Sequence, residues 1–276
     1  MIDMHIHSYY SDGELSPFEI IDKCVKHNVN KMSITDHDTI EAYNDELFDY
    51  CKKNNIEIIT GVEISTRYNK KSIHVLGYNI DLNNKELINK LESLRNSRHD
   101  YLYKVSNKLK DLGYLINIDE LDKVDSVTKA HIALDIINNR DNYDLLNKEF
   151  GHIPNKGEFI ETIMNEGCPA YVKKETITPS EASKLIKNAN GKVFLAHPVA
   201  YTYEDGLTEK DILEIINTMD IDGIESNYIY IDRNNVKHND IDKWNKFAKK
   251  HNLETSTGSD FHNEDGIHPT IGLINE

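Results

Sequence analysis

The 276 residues carry 47 acidic against 32 basic side chains, a formal charge of -15, with 38% hydrophobic and 29% charged residues. Such a composition is that of a globular chain and excludes disorder, while Cys24, Cys51 and Cys168 are too few and too scattered for a disulfide framework or a thiolate zinc site. The same charge excludes a broad basic face for duplex DNA or an anionic membrane, although bound divalent cations can make one pocket of an acidic protein positive.

In chain order, short β-like runs alternate with longer helical patterns, as in an α/β fold with a largely parallel sheet or barrel. Seven strands are expected, over residues 2–7, 31–36, 56–65, 72–78, 192–197, 223–227 and 254–259. Helices are expected over 17–27, 40–54, 180–189, 209–219 and 234–251, and Ser16-Pro17 with Glu19 and Thr178-Pro179 with Glu181 are N-cap signals. Residues 67–71 read as a polar hairpin turn. Residues 85–175 differ, with helical patterns at 85–112, 128–139, 143–150 and 156–166 and no convincing strand. The expected organisation is therefore a core of residues 1–84 and 176–276, with 85–175 as a helical insertion forming a lid or substrate subdomain. No apolar run approaches the roughly 18 residues a membrane helix needs. The N-terminal residues lack a basic segment followed by an apolar one, so the cytoplasm is the expected compartment.

Metal-capable side chains fall in a pattern on these elements. His5 and His7 end the first expected strand, His37 follows the second, Glu63 lies late in the third and His74 lies within the fourth. His197 ends the fifth, and Asp260 and His262 follow the seventh. Loops at the C-terminal ends of parallel strands converge on one face, which is where barrel enzymes assemble their sites. Residues two apart in a strand point the same way, so His5 and His7 can hold one ion, with Asp3 in support nearby. Asp12 then arrives after a short loop that Gly13 helps to turn. Imidazole with carboxylate suits zinc, manganese or iron. A lone histidine is more often a surface or core residue than a ligand. His27, His99, His238 and His251, in polar helical surroundings, and His152 and His268, in loops, are read as solvated. His131 opens a helix in the insertion, where reaching a substrate and lying on the helix surface are both open to it.

The stretches DMHIHSYYSDG, ITDHDT, GVEIS, the His74 of SIHVLGY, AHP and GSDFH, in this order, resemble the motifs of the polymerase and histidinol phosphatase (PHP) family from residue 1 to about 272. The helical insertion with GCPAYV before AHP is similar to the bacterial branch of stand-alone phosphoesterases acting on 3',5'-bisphosphonucleotides and the 5' ends of short RNA. This resemblance implies a distorted seven-stranded β/α barrel and three divalent ions, Mn2+ first, with Zn2+ or Fe2+ as alternatives. His5, His7, Glu63 and Asp260 would hold the first ion. Glu63 would bridge to the second, completed by His74 and His197, and Asp12, His37 and His262 would hold the third. Glu63 and Asp260 thereby enter the catalytic set, with His131 as a candidate acid for the leaving group. Arg95, Arg98, Lys129 and Arg233 are candidate phosphate contacts. The chain departs from the branch at Lys129 and Ala130, where arginine or proline is common beside the histidine, at Leu134, commonly basic, and at Asn263, commonly glycine.

Clustered divalent ions suit phosphate-ester hydrolysis because they lower the pKa of a shared water and neutralise charge on phosphate and leaving group. The expected function is a metal-dependent phosphoesterase that converts 3',5'-bisphosphonucleotides to the 5'-monophosphate and trims short 5'-phosphorylated RNA. Its expected partner is a small anionic phosphate ester, nucleotide or short oligonucleotide, not duplex DNA or a membrane. Histidinol-phosphate phosphatase is the alternative enzyme on the same metal site. A non-catalytic metal- and nucleotide-binding module associated with a polymerase is the alternative outside enzymes, and missing ligands would favour it; none is missing.

Overall fold

The computed structural model describes residues 1–122, 127–173, 176–232 and 234–272, including their side chains except at residues 98 and 99. In chain order the elements are β1 (Ile2–Ile6), α1 (Pro17–Lys26), β2 (Lys31–Ile34), α2 (Asp45–Lys53), β3 (Glu57–Ile58), β4 (Gly61–Tyr68), β5 (Lys71–Tyr78), α3 (Lys85–Asp111), α4 (Ile118–Leu121), α5 (Lys129–Asn138), α6 (Tyr143–Phe150) and α7 (Lys156–Phe159). There follow α8 (Pro179–Asn188), β6 (Lys192–Leu195), α9 (Pro198–Glu204), α10 (Glu209–Ile216), β7 (Gly223–Asn227), β8 (Tyr230–Ile231), β9 (Lys237–His238), α11 (Ile241–Lys250) and β10 (Glu254–Thr257).

The chain divides into two compact units, Met1–Glu92 with Thr176–Glu276, and Ser93–Glu175. The first is a mixed α/β unit. Its strands form a three-stranded sheet in the order β1-β2-β3, a five-stranded sheet in the order β10-β7-β6-β5-β4, and the hairpin β8-β9. The first sheet is parallel, and β6, β7 and β10 are parallel, but β4, β5 and β6 run antiparallel in turn. The expected single ring of seven strands is thus replaced, among the described residues, by ten strands in separate ladders. Single bridges join the two larger sheets, Ile6 to Phe261 at one margin and His37 to Glu63 at the other. Both interruptions fall beside metal-capable residues, where the chain turns its side chains inward instead of continuing a ladder.

Local chemistry explains where the elements differ from the sequence expectation. The strand expected over 56–65 breaks after Ile58, and Glu63 comes early in β4, not late in a third strand. Gly61 makes that crossing possible, because a Cβ there would lie 2.2 Å from Ser33 Oγ and 2.9 Å from Thr35 Cγ2. The turn at 67–71 is the hairpin expected: Asn69 and Lys70 take φ of 46° and 70°, the left-handed pair that a tight two-residue turn requires. The helix expected from residue 40 starts only at Asp45, since the Asn44 side chain accepts the Leu47 N–H and caps it there. Likewise 234–251 is not one helix: His238 is in β9, bonded to Asp232 at 3.0 Å and stacked on Tyr203 at 3.7 Å, so it is partly buried, not solvated. Ser16 and Glu19 form the expected reciprocal cap of α1, as Thr178 and Glu181 do for α8.

Apolar faces close the first unit on both sides of its first sheet. Ile20, Ile21, Cys24, Leu47 and Cys51 of α1 and α2 pack on Ile6, Met32 and Ile34, so these two cysteines serve as small buried hydrophobes. Met4 instead packs with Leu76, Tyr78 and Phe194 of the second sheet. The second unit is helical, built on Leu102, Val105, Leu109, Tyr114, Ile132, Ile136 and Phe159. Its fourth expected helix ends early, with α7 giving way to a π-helix over Ile160–Met164. Among the described residues, no helix is long and apolar enough to cross a membrane.

Ile34 has no exposed surface, so Ile34→Ala leaves a cavity and is expected to lower unfolding stability by about 2–5 kcal/mol, read from urea transitions at fixed metal concentration.

Candidate metal centre

The residues at the end of β1 set the site. Nε2 of His5 and Nε2 of His7 lie 3.0 Å apart, so the two rings converge as strand alternation predicts. The pairing of β1 with β2 slips between Asp3 and Ile6, a local irregularity of the kind that re-aims side chains near active sites. The loop that follows is fixed from below by Asp36, whose oxygens accept from Ser8 N at 2.7 Å, Ser8 Oγ at 2.6 Å and Ser11 Oγ at 2.7 Å. Gly13 closes it, since a Cβ would lie 2.3 Å from the His7 carbonyl oxygen. Asp12 is thereby carried back to within 3.4 Å of His7 Nδ1.

Glu63 is the centre of the arrangement and has no exposed surface. Its Oε2 lies 3.2 Å from His5 Nε2, 3.2 Å from His7 Nε2 and 3.1 Å from His37 Nδ1. Its other oxygen, Oε1, lies 3.0 Å from His74 Nδ1 and 3.2 Å from His197 Nε2. One carboxylate therefore faces two sets of imidazoles. Asp260 Oδ1 is 3.2 Å from His5 Nε2 and 3.1 Å from His7 Nε2, and Tyr228 donates its hydroxyl to Oδ2 at 3.2 Å. Asp12 gathers His37 at 3.7 Å and His262 at 3.4 Å. His197 and Asp260 both hold left-handed backbone, with φ of 25° and 54°, strain that accumulates where side-chain placement is demanding.

Three overlapping groups have ligand atoms within 4.8 Å of one another: His5, His7, Glu63 and Asp260; His7, Asp12, His37 and His262; and His37, Glu63 and His74. Eight of the nine residues that the PHP resemblance points to fall in these groups, and the ninth, His197, lies 3.2 Å from Glu63 Oε1. The sharing is wider than expected, because His7 and His37 each face two groups, while His197 reaches the centre through Glu63 Oε1. Cations fit this donor set on a structural ground. Among the described residues, His37 Nδ1, His74 Nδ1 and Glu63 Oε2 are buried without a hydrogen bond of good geometry, although His37 Nδ1 lies 3.1 Å from Glu63 Oε2 and His74 Nδ1 3.0 Å from Glu63 Oε1. Buried polar atoms without partners are costly, and a cation satisfies all three.

The electrostatics agree. Burial opposes charge on His7, but its hydrogen bond to Asp260 and the nearby carboxylates of Glu63 and Asp12 hold its pKa up at about 10. Burial also opposes charge on His5, and Glu225, Glu63 and Asp260 together lift it well above the usual imidazole range. At His37 burial prevails and pushes the pKa down to about 3, so that ring stays neutral and ready to ligate. Burial would raise Asp12, Glu63 and Asp260, but the surrounding imidazoles drive all three below the usual carboxylate range.

Other expected residues fare differently. Asp3 faces away from the cage, accepting from His5 N at 3.4 Å, Ser259 N at 3.0 Å and Gly272 N at 2.9 Å, and so fastens the C-terminal segment to β1. Arg95, Lys129 and His131 belong to the second unit. Lys129 Nζ donates to Asn165 at 2.8 Å, and His131 Nδ1 accepts the Thr128 N–H at 3.2 Å as part of the cap of α5, so Nε2 is the ring nitrogen outside the cap. Arg233 and the Arg98 side chain lie outside the described residues. Sequence reasoning missed Glu225, a buried carboxylate on His5 Nδ1 at 3.0 and 3.1 Å. The signal was present as an acidic residue in the middle of the β7 run GIESN.

Such a cage of imidazoles and carboxylates, at the strand ends and hairpin of an α/β unit, is able to bind metal ions and defines the class as a metal-site protein. The comparisons narrow the class. The PHP domain model matches residues 3–226. A 5'-3' exoribonuclease of Haemophilus influenzae is 30% identical over 262 residues, covering 94% of this chain and 89% of its own. A 3',5'-nucleoside bisphosphate phosphatase of Chromobacterium violaceum is 26% identical over 265 residues, covering 95% and 87%. Among solved structures, an amidohydrolase of Chromobacterium violaceum with bound sulfate and no metal shares the fold, with a TM-score of 0.71 at 24% identity over 99% of this chain and 92% of its own. The chain belongs to the PHP domain family, and it is a metal-dependent phosphoester hydrolase.

Ligation needs neutral His5 and His7, whereas the carboxylates around the pair raise both pKa values and favour a proton held between the two rings in the metal-free protein. Mn2+ binding at pH 7 is therefore expected to release protons, and the release to fall away as pH rises through about 10, where His7 is already neutral. Calorimetric titration in buffers of different ionisation enthalpy measures it; binding heat independent of buffer at pH 7 would contradict the assignment.

Proposed function

We propose that the chain removes phosphate from small nucleotides, converting 3',5'-bisphosphonucleotides to the 5'-monophosphate, and that it also acts on short 5'-phosphorylated RNA. Two of the relatives are named for those two activities. The observation that carries the reading is Glu63, whose two oxygens are divided between His5, His7 and His37 on one side and His74 and His197 on the other. A carboxylate so placed suits neighbouring cations. The proposed sets are His5, His7, Glu63 and Asp260; Glu63, His74 and His197; and Asp12, His37 and His262, with Mn2+ as the first candidate. Divalent cations there supply a water of lowered pKa and neutralise charge that builds on phosphate oxygens.

The protein's own contribution is orientation and electrostatics. With its imidazoles neutral, the site presents the negative charges of Asp12, Glu63, Asp260 and Glu225, and a phosphate is repelled unless cations outnumber them in effect. Tyr228 and the left-handed turn at Asp260 fix that carboxylate while leaving its Oδ1 toward His5 and His7. On the second unit, read as a lid or substrate subdomain, His131 has Nδ1 committed to the Thr128 N–H, so its Nε2–H is proposed to hydrogen-bond the departing ribose oxygen while water supplies the proton. Lys129 and Arg95, with Arg98 and Arg233, are proposed to contact phosphate.

Phosphate release with Mn2+ is expected to be fastest on adenosine 3',5'-bisphosphate or a short 5'-phosphorylated RNA, and slower on histidinol phosphate; a clear preference for histidinol phosphate would replace the substrate reading. Stoichiometric nucleotide binding by the metal-loaded protein, without turnover of any ester, would replace the enzyme reading. Glu63→Gln is expected to lose both bound metal and turnover. His131→Ala is expected to keep full metal content while kcat falls by about 10²–10³-fold, the usual worth of a positioned hydrogen-bond donor. Metal analysis beside the rate assay separates the two outcomes.

A further inference from the structure

We infer that Glu225 makes occupancy of the first two cation subsites cooperative; the inference rests on the three-cation assignment proposed above. Glu225 has no exposed surface and touches one proposed ligand of each subsite. His5 Nδ1 lies 3.0 Å from its Oε1 and 3.1 Å from its Oε2, and Oε2 also accepts the backbone N–H of His197 at 2.8 Å. A carboxylate accepts, so when His5 ligates through Nε2 its Nδ1 carries the proton and the ring is fixed facing His7, Glu63 and Asp260. The bond to His197 holds the left-handed backbone, φ 25°, that places His197 Nε2 at 3.2 Å from Glu63 Oε1.

Oε2 serves both contacts, so a shift of the carboxylate toward one loosens its hold on the other. A Cβ at Gly258 would lie 2.0 Å from Glu225 Oε1 and 2.3 Å from His5 Cβ, so the Gly258 backbone closes directly over the carboxylate and the ring. A cation that orders His5 orders this carboxylate and with it His197, before the second cation arrives. The ordering cost shared by the two subsites is then met once, which is positive coupling between them. Glutamine cannot reproduce it. An amide has one oxygen: at the Oε1 position it leaves the NH2 group facing the His197 N–H, and at the Oε2 position it accepts from both but sets the NH2 group 3.0 Å from His5 Nδ1–H, so either way a donor faces a donor.

The test is stepwise Mn2+ binding to metal-free protein, followed by the electron paramagnetic resonance of free Mn2+, for wild type, Glu225→Gln, His74→Ala and the double variant. His74 belongs only to the second subsite, yet coupling requires His74→Ala to weaken the tightest Mn2+ step by about tenfold, within the ~5–150-fold range of coupled sites. Glu225→Gln is expected to weaken it by about 10–100-fold, and adding His74→Ala to Glu225→Gln to cost little more. In Zn2+-loaded wild type the Nδ1 proton of His5 is expected as a downfield resonance that moves upfield in Glu225→Gln, a change that loss of fold stability alone would not produce. A tightest step unchanged in His74→Ala overturns the coupling without needing any Glu225 variant to fold, and fully additive losses in the double variant overturn it as well. Wild type that binds a single Mn2+ sinks the three-cation reading and this inference together, whereas two or more ions with independent affinities sink the coupling alone.

Discussion

A carboxylate sealed from water among five imidazole rings is the constraint around which this protein is arranged. Burial would neutralise Glu63, and the imidazoles keep it ionised. Neither side of that balance stands without the other. Remove the rings and an ion is buried alone, at a cost of several kcal/mol; remove the carboxylate and mutually repelling cations or partnerless nitrogens remain. Divalent cations resolve the conflict, since they let the rings be neutral and the carboxylates charged together. Metal dependence is in this sense a consequence of how the first unit folds.

The sheets carry the cost of that cluster at their margins. Ladders stop where His37, Glu63, Phe261 and Ile6 meet, and single bridges take over. Backbone in the left-handed region occurs at His197 and at Asp260. These are the places where regular structure would have pointed a ligand elsewhere, so local strain is exchanged for convergence. Behind the cage a further layer of buried acceptors absorbs the directional demands: Asp36 under the loop bearing Asp12, and Glu225 behind His5 and His197. Orientation of this kind is what lets a metal centre act on substrate without reorganising.

Much of the fold was legible locally. Ser16 and Thr178 announced helix starts, and the Arg67–Lys71 stretch announced a hairpin, because caps and tight turns are short-range chemistry. The expected closed ring was not, since closure depends on whether ladders persist between strands far apart in the chain. The extent of 56–65 and 234–251 was misread for the same reason. Gly61 breaks the first because Ser33 and Thr35 approach it, and His238 leaves the second because Asp232 and Tyr203 hold it.

Residue type, strand alternation and family motifs were enough to choose the cage residues, because a ligand must be an imidazole or a carboxylate and His5 and His7 must share a strand face. Which atoms share which neighbour was decided only in three dimensions. His7 meets Asp260, 253 residues away, at 3.1 Å, and Glu225 meets His5, 220 residues away, at 3.0 Å. No spacing in the chain encodes such distances. They follow from two sheets meeting edge to edge, because that meeting brings strand ends far apart in the chain within hydrogen-bond reach of one buried carboxylate.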